Sequence, residues 1–196
     1  MIICNVLNEN FANTSIVFVN SNIKKINKIY GDKIVFFVDE NKNVSSINIL
    51  DNKKYFIENN NKFFRLSSEQ INIIKDEANK LGLVIKPIKM FQYGKILKRI
   101  IHEKSNKLFV LEVNFNEEKT TQIITNTLDT LEGKVCVFAR IGATTFSGLE
   151  ILSGKVMNIE SNGMVTSYKT LGIERDGLIF GDETQVGQEF DLCQDI

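Results

Sequence analysis

The chain has 196 residues, 24 Lys and Arg against 24 Asp and Glu, and a 43% hydrophobic fraction, which is the composition of a folded, water-soluble protein of one or two domains. No apolar run approaches the roughly 20 residues of a membrane-crossing helix, and MIICNVLNEN lacks the basic start and small-residue cleavage site of a secretory signal, so no membrane association and a cytoplasmic location are expected. Three scattered cysteines (Cys4, Cys136, Cys193) and a lone histidine (His102) argue against a disulfide framework or a metal centre; the cysteines are expected to be reduced and mostly buried, and no cofactor is expected.

The first half alternates short apolar runs with polar turns. IICNVL, SIVFVN, KIVFFVDE and VSSINIL are rich in β-branched and aromatic residues and predict a small antiparallel sheet. DENKNVSS reads as a hairpin connection, because Asn and Asp tolerate the left-handed backbone and bond to their own main chain. The Asn-rich ENNNK at Glu58 to Lys62 reads as a solvated loop.

The period then changes to that of a helix. In LSSEQINIIKDEANKLG, Ser67 and Gln70 fit a capping box, Ile71, Ile74, Ala78 and Leu81 share one face, and Gly82 suits the C-terminal end. The helix is expected to cover one face of the sheet. Pro87 forces Lys86 into an extended conformation, and a domain boundary is placed there, giving a small α+β domain over 1–86 and a second domain over 87–196.

Beyond the boundary the strand signals lengthen. KMFQYGKILKRII predicts a long first strand, KLFVLEVNF alternates Phe109, Leu111, Val113 and Phe115 on one face, and Asn116 to Lys119 turns the chain into TTQIITN. GKVCVFARIG places Val135, Val137, Ala139 and Ile141 inward and Arg140 outward, and GLEILSGKVMNIE reads as a fifth strand. Five antiparallel strands fit a partly open OB barrel; the periodicity is equally consistent with a small SH3-like barrel. The expected fold is therefore mainly β, α+β overall. Charge is uneven here: Lys86, Lys89, Lys95, Lys98, Arg99, Lys104 and Lys107 meet only Glu103, whereas the end of the chain is acidic.

HEKSNKLFVLEVNF, QIITN, GKVCVFARIGATTFSGLEI and SNGMVTSYKTLGI, in that order, resemble the successive blocks of the tRNA-binding OB domain found in the phenylalanyl-tRNA synthetase β chain and in free-standing tRNA-binding proteins. The resemblance spans roughly Ile88 to Leu192, and the β-rich segment before it is similar to the layout of the YtpR family. Where that family has His-Pro-x-Ala-Asp-Lys-Leu, this chain has His102-Glu-Lys-Ser-Asn-Lys107-Leu108; Gln122-Ile-Ile is followed by Thr125-Asn126-Thr127 in place of Cys-Gly-Ala; Ser161, Gly163 and Met164 keep the Ser-x-Gly-Met element.

The resemblance implies tRNA as partner and SNGM as a contact element, with Gly163 allowing close backbone approach, Ser161 donating to phosphate or a ribose 2′-hydroxyl, and Met164 lying against a sugar or base. With the basic residues, the candidate RNA-binding set is Lys98, Arg99, His102, Lys104, Asn106, Lys107, Leu108, Arg140, Ser161, Gly163 and Met164. A second reading makes the lysines guards of an exposed strand edge and Met164 a plug at the end of the barrel. On that reading the domain is a protein-interaction or dimerisation module beside an aminoacyl-tRNA synthetase. No enzyme is expected: GATTFSG lacks the Gly-Lys-Ser/Thr ending of a phosphate loop, Cys136 lies in an apolar strand, and a hydrolase built on His102 and a carboxylate finds no motif to support it.

Overall fold

The computed structural model describes residues 1–57 and 61–192. The core of the ENNNK stretch (58–60), Cys193 and the acidic Asp195 lie outside the described residues. The chain divides into two compact units, Met1–Ile88, to which Asp191 and Leu192 also belong, and Lys89–Phe190. It is mainly β with one α-helix among the described residues, and no helix is long and apolar enough to cross a membrane.

In the first unit β1 (Ile3–Val6), β2 (Ser15–Phe18), β3 (Asn27–Gly31), β4 (Ile34–Val38), β5 (Val44–Ile49) and β6 (Phe63–Arg65) form one antiparallel sheet in the order β3-β4-β5-β2-β1-β6. The period-2 pattern turns Val17, Phe36, Ile47 and their row neighbours to one face, where they form a single core with Ile74 and Ala78 of α1 (Ser68–Lys80). Ile71 and Leu81 pack at its margin. The helix starts at a complete capping box, Ser67 with Gln70, and ends before Gly82 in the left-handed conformation. β3 and β6 carry weak sequence signals for two reasons: β3 is a largely exposed edge whose buried contribution is little more than Ile29, and β6 is three residues long.

The β4–β5 connection turns on Asp39. Its carboxylate accepts from the backbone N–H groups of Asn41 (2.9 Å) and Asn43 (2.8 Å) and from the Asn43 amide (2.8 Å), and Lys42 takes the positive φ the turn needs.

The second unit is built on β7 (Phe91–His102), which pairs with β10 (Val135–Ala139) over Phe91–Lys95 and with β8 (Ser105–Asn114) from Lys95 to His102; β9 (Thr121–Thr125) pairs with β8. Phe109, Leu111, Val113 and Phe115 face the core as their alternation predicts, with Ile96, Ile123 and Val165. Gly94 is required where β7 passes over β8, since a Cβ there would sit 2.6 Å from both Val113 and Phe115 side chains.

Two expectations are corrected. In β10 it is Cys136 and Phe138 that enter this core, and Val135, Val137 and Ala139 are buried on the opposite face, while Ile141 lies beyond the strand and is half-buried. Alternation in a strand buried on both sides does not say which set faces the main core; here the second face is covered too, as Tyr93, the cross-strand partner of Val137, packs edge-on against Phe190 at 5.8 Å. GLEILSGKVMNIE is not one strand but ends in a separate hairpin, β11 (Gly154–Val156) and β12 (Ile159–Ser161), turned at Met157 and Asn158, both at positive φ. The further pairings of β10 come from β13 (Met164–Val165) and β14 (Phe180–Gly181).

Candidate nucleic-acid interface

The β7–β8 hairpin gathers one group of the candidate residues at its tip. Ile101 pairs with Phe109 and His102 with Ser105, so the register jumps and Asn106, Lys107 and Leu108 have no opposite number on β7. They form a bulge, a device that re-aims side chains at strand ends. Lys104, Asn106 and Lys107 are exposed and Leu108 is half-buried. Only Glu103 and Lys104 make the turn between the two strands, and Ser105 onward is already β8.

His102 lies under this tip, 2% exposed. Its Nδ1 accepts from the backbone N–H of Lys104 (3.1 Å), which leaves the proton on Nε2, 3.3 Å from the Val156 carbonyl that it faces. Both ring nitrogens are therefore engaged within the protein, and the imidazole ties the hairpin tip to β11.

Lys98 sits one turn of the pleat further back, on the outer face opposite Glu112, in an open depression shared with Ile100, Val110, Thr120 and Gln122. Arg99 points the other way. Its guanidinium stacks 3.4 Å from the centroid of Phe109, and Glu132 accepts from its backbone N–H at 2.8 Å. Among the described residues Lys98 and Lys107 make no ion pair, and Lys104 has Glu103 at 3.9 Å.

Arg140, Ser161, Gly163 and Met164 form a second group. The Ser161 hydroxyl accepts from the Ile124 N–H of β9, the Asn162 N–H donates to the Gln122 carbonyl, and Met164 pairs with Ala139 of β10, so this short segment bonds to both β9 and β10. A Cβ on Gly163 would lie 2.9 Å from the Ala139 carbonyl and 3.0 Å from Ile123, so only glycine allows the approach. Met164 remains half-exposed. Further along SNGMVTSYKTLGI, Ser167 and Thr170 cap a 3-10 turn over Tyr168–Leu171, which Gly172 ends in the left-handed conformation. Arg140 is held by three partners: Gln92 at 2.5 Å, Glu117 at 2.9 Å and the face of Phe115 at 4.0 Å.

Within the second group only Arg140 stands apart from the tip along β7: it bonds Gln92 near the start of the strand, ten residues before His102 at its end, whereas Ser161 bonds Ile124, whose partner Val110 pairs with Ile100, two residues from His102. Two features were not singled out in the sequence: the Glu117 carboxylate that neutralises Arg140, and Arg175, stacked 4.3 Å over Tyr168 just past the SNGM element. Spacing could not disclose either, since both are contacts across loops.

The described residues hold no grouping of three His, Cys, Asp or Glu that could bind a metal ion. Burial pushes the thiols of Cys4 and Cys136 up to about 12, so neither supplies a thiolate near neutral pH.

Lys89–Phe190 is thus an antiparallel β domain that displays cations at a hairpin tip. The chain belongs to the tRNA_bind family, whose model, described as "Putative tRNA binding domain", matches residues 91–189. It is 28% identical over 170 residues to the "Putative tRNA-binding protein YtpR" of Bacillus subtilis (strain 168), covering 82% of this chain and 84% of that protein. It is also 30% identical over 119 residues to the phenylalanine–tRNA ligase beta subunit of Campylobacter jejuni, and 33% identical over 107 residues to that of Clostridium tetani. Those matches cover 60% and 53% of this chain but only 15% and 14% of the subunits.

Proposed function

We propose that the chain binds tRNA without catalysis, through a C-terminal domain that is an OB-type barrel. Support for the barrel comes from residues 161–165, whose bonds to both β9 and β10 join the two sides of the sheet. Support for RNA comes from membership of the family and, above all, from one observation: Lys98, Asn106 and Lys107 stand exposed on and beside the bulged hairpin tip, and among the described residues neither lysine is engaged in an ion pair, Glu112 lying across the strand from Lys98.

Of the candidate residues, we assign direct contact to Lys98, Lys104, Asn106, Lys107 and Met164. Lysines meet phosphates, Asn106 a phosphate or 2′-hydroxyl, and Met164 a sugar or base face, as suits a ligand whose A-form stems hide their base edges. His102, Leu108, Ser161 and Gly163 position those groups, Arg99 is a stacked support for Phe109, and Arg140 is a cation held in reserve by Glu117.

The test is retention of total tRNA on a filter across a salt series. Replacing Lys98, Lys104 and Lys107 together by Gln should reduce the slope of log affinity against log salt by about 2 to 3, at 0.7 to 0.9 per phosphate contact. An unchanged slope in a folded variant removes the tip from the RNA path.

A second reading makes the unit a dimerisation or synthetase-docking module. It is favoured by the exposure of Ile101 (65%), Leu128 (71%) and Leu131 (50%). Failure to retain tRNA even at low salt, with a dimer by sedimentation, would select it.

A further inference from the structure

The two halves of the chain differ in charge in a direction the family match does not anticipate. Residues 1–88 hold twelve Lys and Arg against nine Asp and Glu, whereas residues 89–196 hold twelve against fifteen. The half outside the matched domain is the cationic one.

Its excess charge gathers at one sheet edge. Helix α1 covers the face of the sheet that carries Phe36 and Ile47, and the strand alternation turns Val35 and Phe37 to the other face. Across β3, β4 and β5 that other face has two rows set by the register: Lys28, Phe37 and Ser46, then Tyr30, Val35 and Asn48. The Lys28 ammonium lies 5.6 Å over the Phe37 ring. Tyr30 is 70% exposed, and Lys24 and Lys33 stand exposed just before and just after β3. Among the described residues Lys24, Lys28 and Lys33 make no ion pair; the Lys33 charge acts on Asp51 from a distance, and Asp32 beside it pairs with Lys54.

Lysine on an edge strand commonly prevents unwanted sheet extension. A tyrosine exposed to that extent does the opposite, so protection alone does not account for the pair. An acidic peptide would answer the lysines but not a rigid aromatic face beside them; a chain of phosphates bearing planar bases answers both. Aromatic side chains on a sheet face, flanked by cations that follow the backbone, are how unstacked nucleotides are held without regard to sequence.

We propose that the β3–β4 edge of the N-terminal unit is a binding site for single-stranded RNA, in which an unpaired base stacks on Tyr30 and flanking phosphates meet Lys24, Lys28 and Lys33. The choice of RNA as the polyanion rests on the tRNA-binding reading above, but the site is distinct from the hairpin tip in residues and in the form of RNA it takes.

The experiment uses the full chain with two probes, total tRNA and an oligouridine of about twelve nucleotides, which is unstructured and within the length such surfaces cover. Tyr30→Ala should weaken oligouridine binding about 5- to 150-fold with the salt slope unchanged, as expected for loss of one stacked base. The Lys24→Gln, Lys28→Gln, Lys33→Gln triple variant should lower the oligouridine salt slope by about 2. A Lys98→Gln, Lys107→Gln variant should leave oligouridine binding within about twofold of the parent while weakening tRNA binding. All these positions are exposed, and circular dichroism checks that each variant is folded. If the parent does not bind oligouridine, or if both N-terminal variants bind it as the parent does, this proposal is overturned whatever the tRNA result. If tRNA binding ignores Lys98 and Lys107 while oligouridine binding depends on Tyr30, the hairpin-tip reading falls and this one stands.

Discussion

The hydroxyl of Ser161 accepts a hydrogen bond from the backbone N–H of Ile124 at 3.0 Å, and so performs for β9 what a strand carbonyl would otherwise do. A polar residue of the SNGM element is thereby engaged with the protein's own backbone. Its side chain is almost wholly buried, and its remaining bond runs to the Gly163 carbonyl at 3.4 Å. Ser161→Ala leaves a buried N–H without a partner and should reduce unfolding free energy by about 1–3 kcal/mol in urea titrations. tRNA affinity of the folded fraction should stay near that of the parent. A loss of affinity with unchanged stability would instead make Ser161 an RNA contact.

Ile74 tests the independence of the helix from any binding surface. It is 1% exposed and faces the sheet core that includes Phe36 and Ile47. Truncation to Ala removes buried methyl and methylene groups and leaves a cavity, so a loss of about 2–5 kcal/mol is expected by chemical denaturation. Binding of tRNA and of oligouridine should not change under conditions where the variant is folded. Altered RNA affinity at full stability would assign α1 to a ligand face.

Much of this was legible in the sequence where core positions recur between exposed polar ones. Ile74 and Ala78 are separated by the exposed Asp76, and Leu111 and Val113 by the exposed Glu112, so period reveals the core even though Val110 is buried on the other face of β8. The reading failed in β10, which is buried on both sides, and in 148–160, where a positive-φ turn at Met157 and Asn158 breaks what looked like one strand. The hairpin tip was visible as a run of basic residues. What each cation does was not, because the stacking of Arg99 on Phe109 and the pairing of Arg140 with Glu117 arise from chain segments that sequence order keeps apart.

Asp39 should give the N-terminal unit a measurable acid sensitivity. The Asn43 side-chain amide, helped by the backbone N–H groups of Asn43 and Asn41 and by the charge of Lys86, holds its carboxyl below the usual value against desolvation, which is the second-largest influence and raises it. A group whose pKa is lower folded than unfolded stabilises the fold above its unfolded value, about 3.9, and loses that contribution as pH falls through the folded value. Asp39→Asn keeps an acceptor in the turn but cannot titrate. The Tm difference between parent and variant should therefore be largest near neutral pH and shrink on acidification below about pH 4. A difference that stays constant across that window would show that the turn does not depend on the carboxylate charge.

The Arg140–Glu117 pair gives the most direct test of where RNA passes on the C-terminal unit. The guanidinium is fixed by Gln92, by Glu117 at 2.9 Å and by the Phe115 ring, and Arg140 directly follows Ala139, the cross-strand partner of Met164. Glu117 is about half exposed and the arginine side chain only 19% exposed, so the pair is partly screened and its removal should change stability by about 1 kcal/mol or less. Glu117→Gln keeps the shape of the hairpin and frees the positive charge. If RNA runs past Met164, an additional phosphate becomes neutralised: tRNA affinity should rise at low salt and the salt slope should steepen by about 0.7 to 0.9. Arg140→Gln in the parent background should leave the slope nearly unaltered, because the charge it removes was already balanced. A Glu117→Gln variant that folds normally and shows the parent's slope would place the RNA path away from the SNGM element and confine it to the β7–β8 tip.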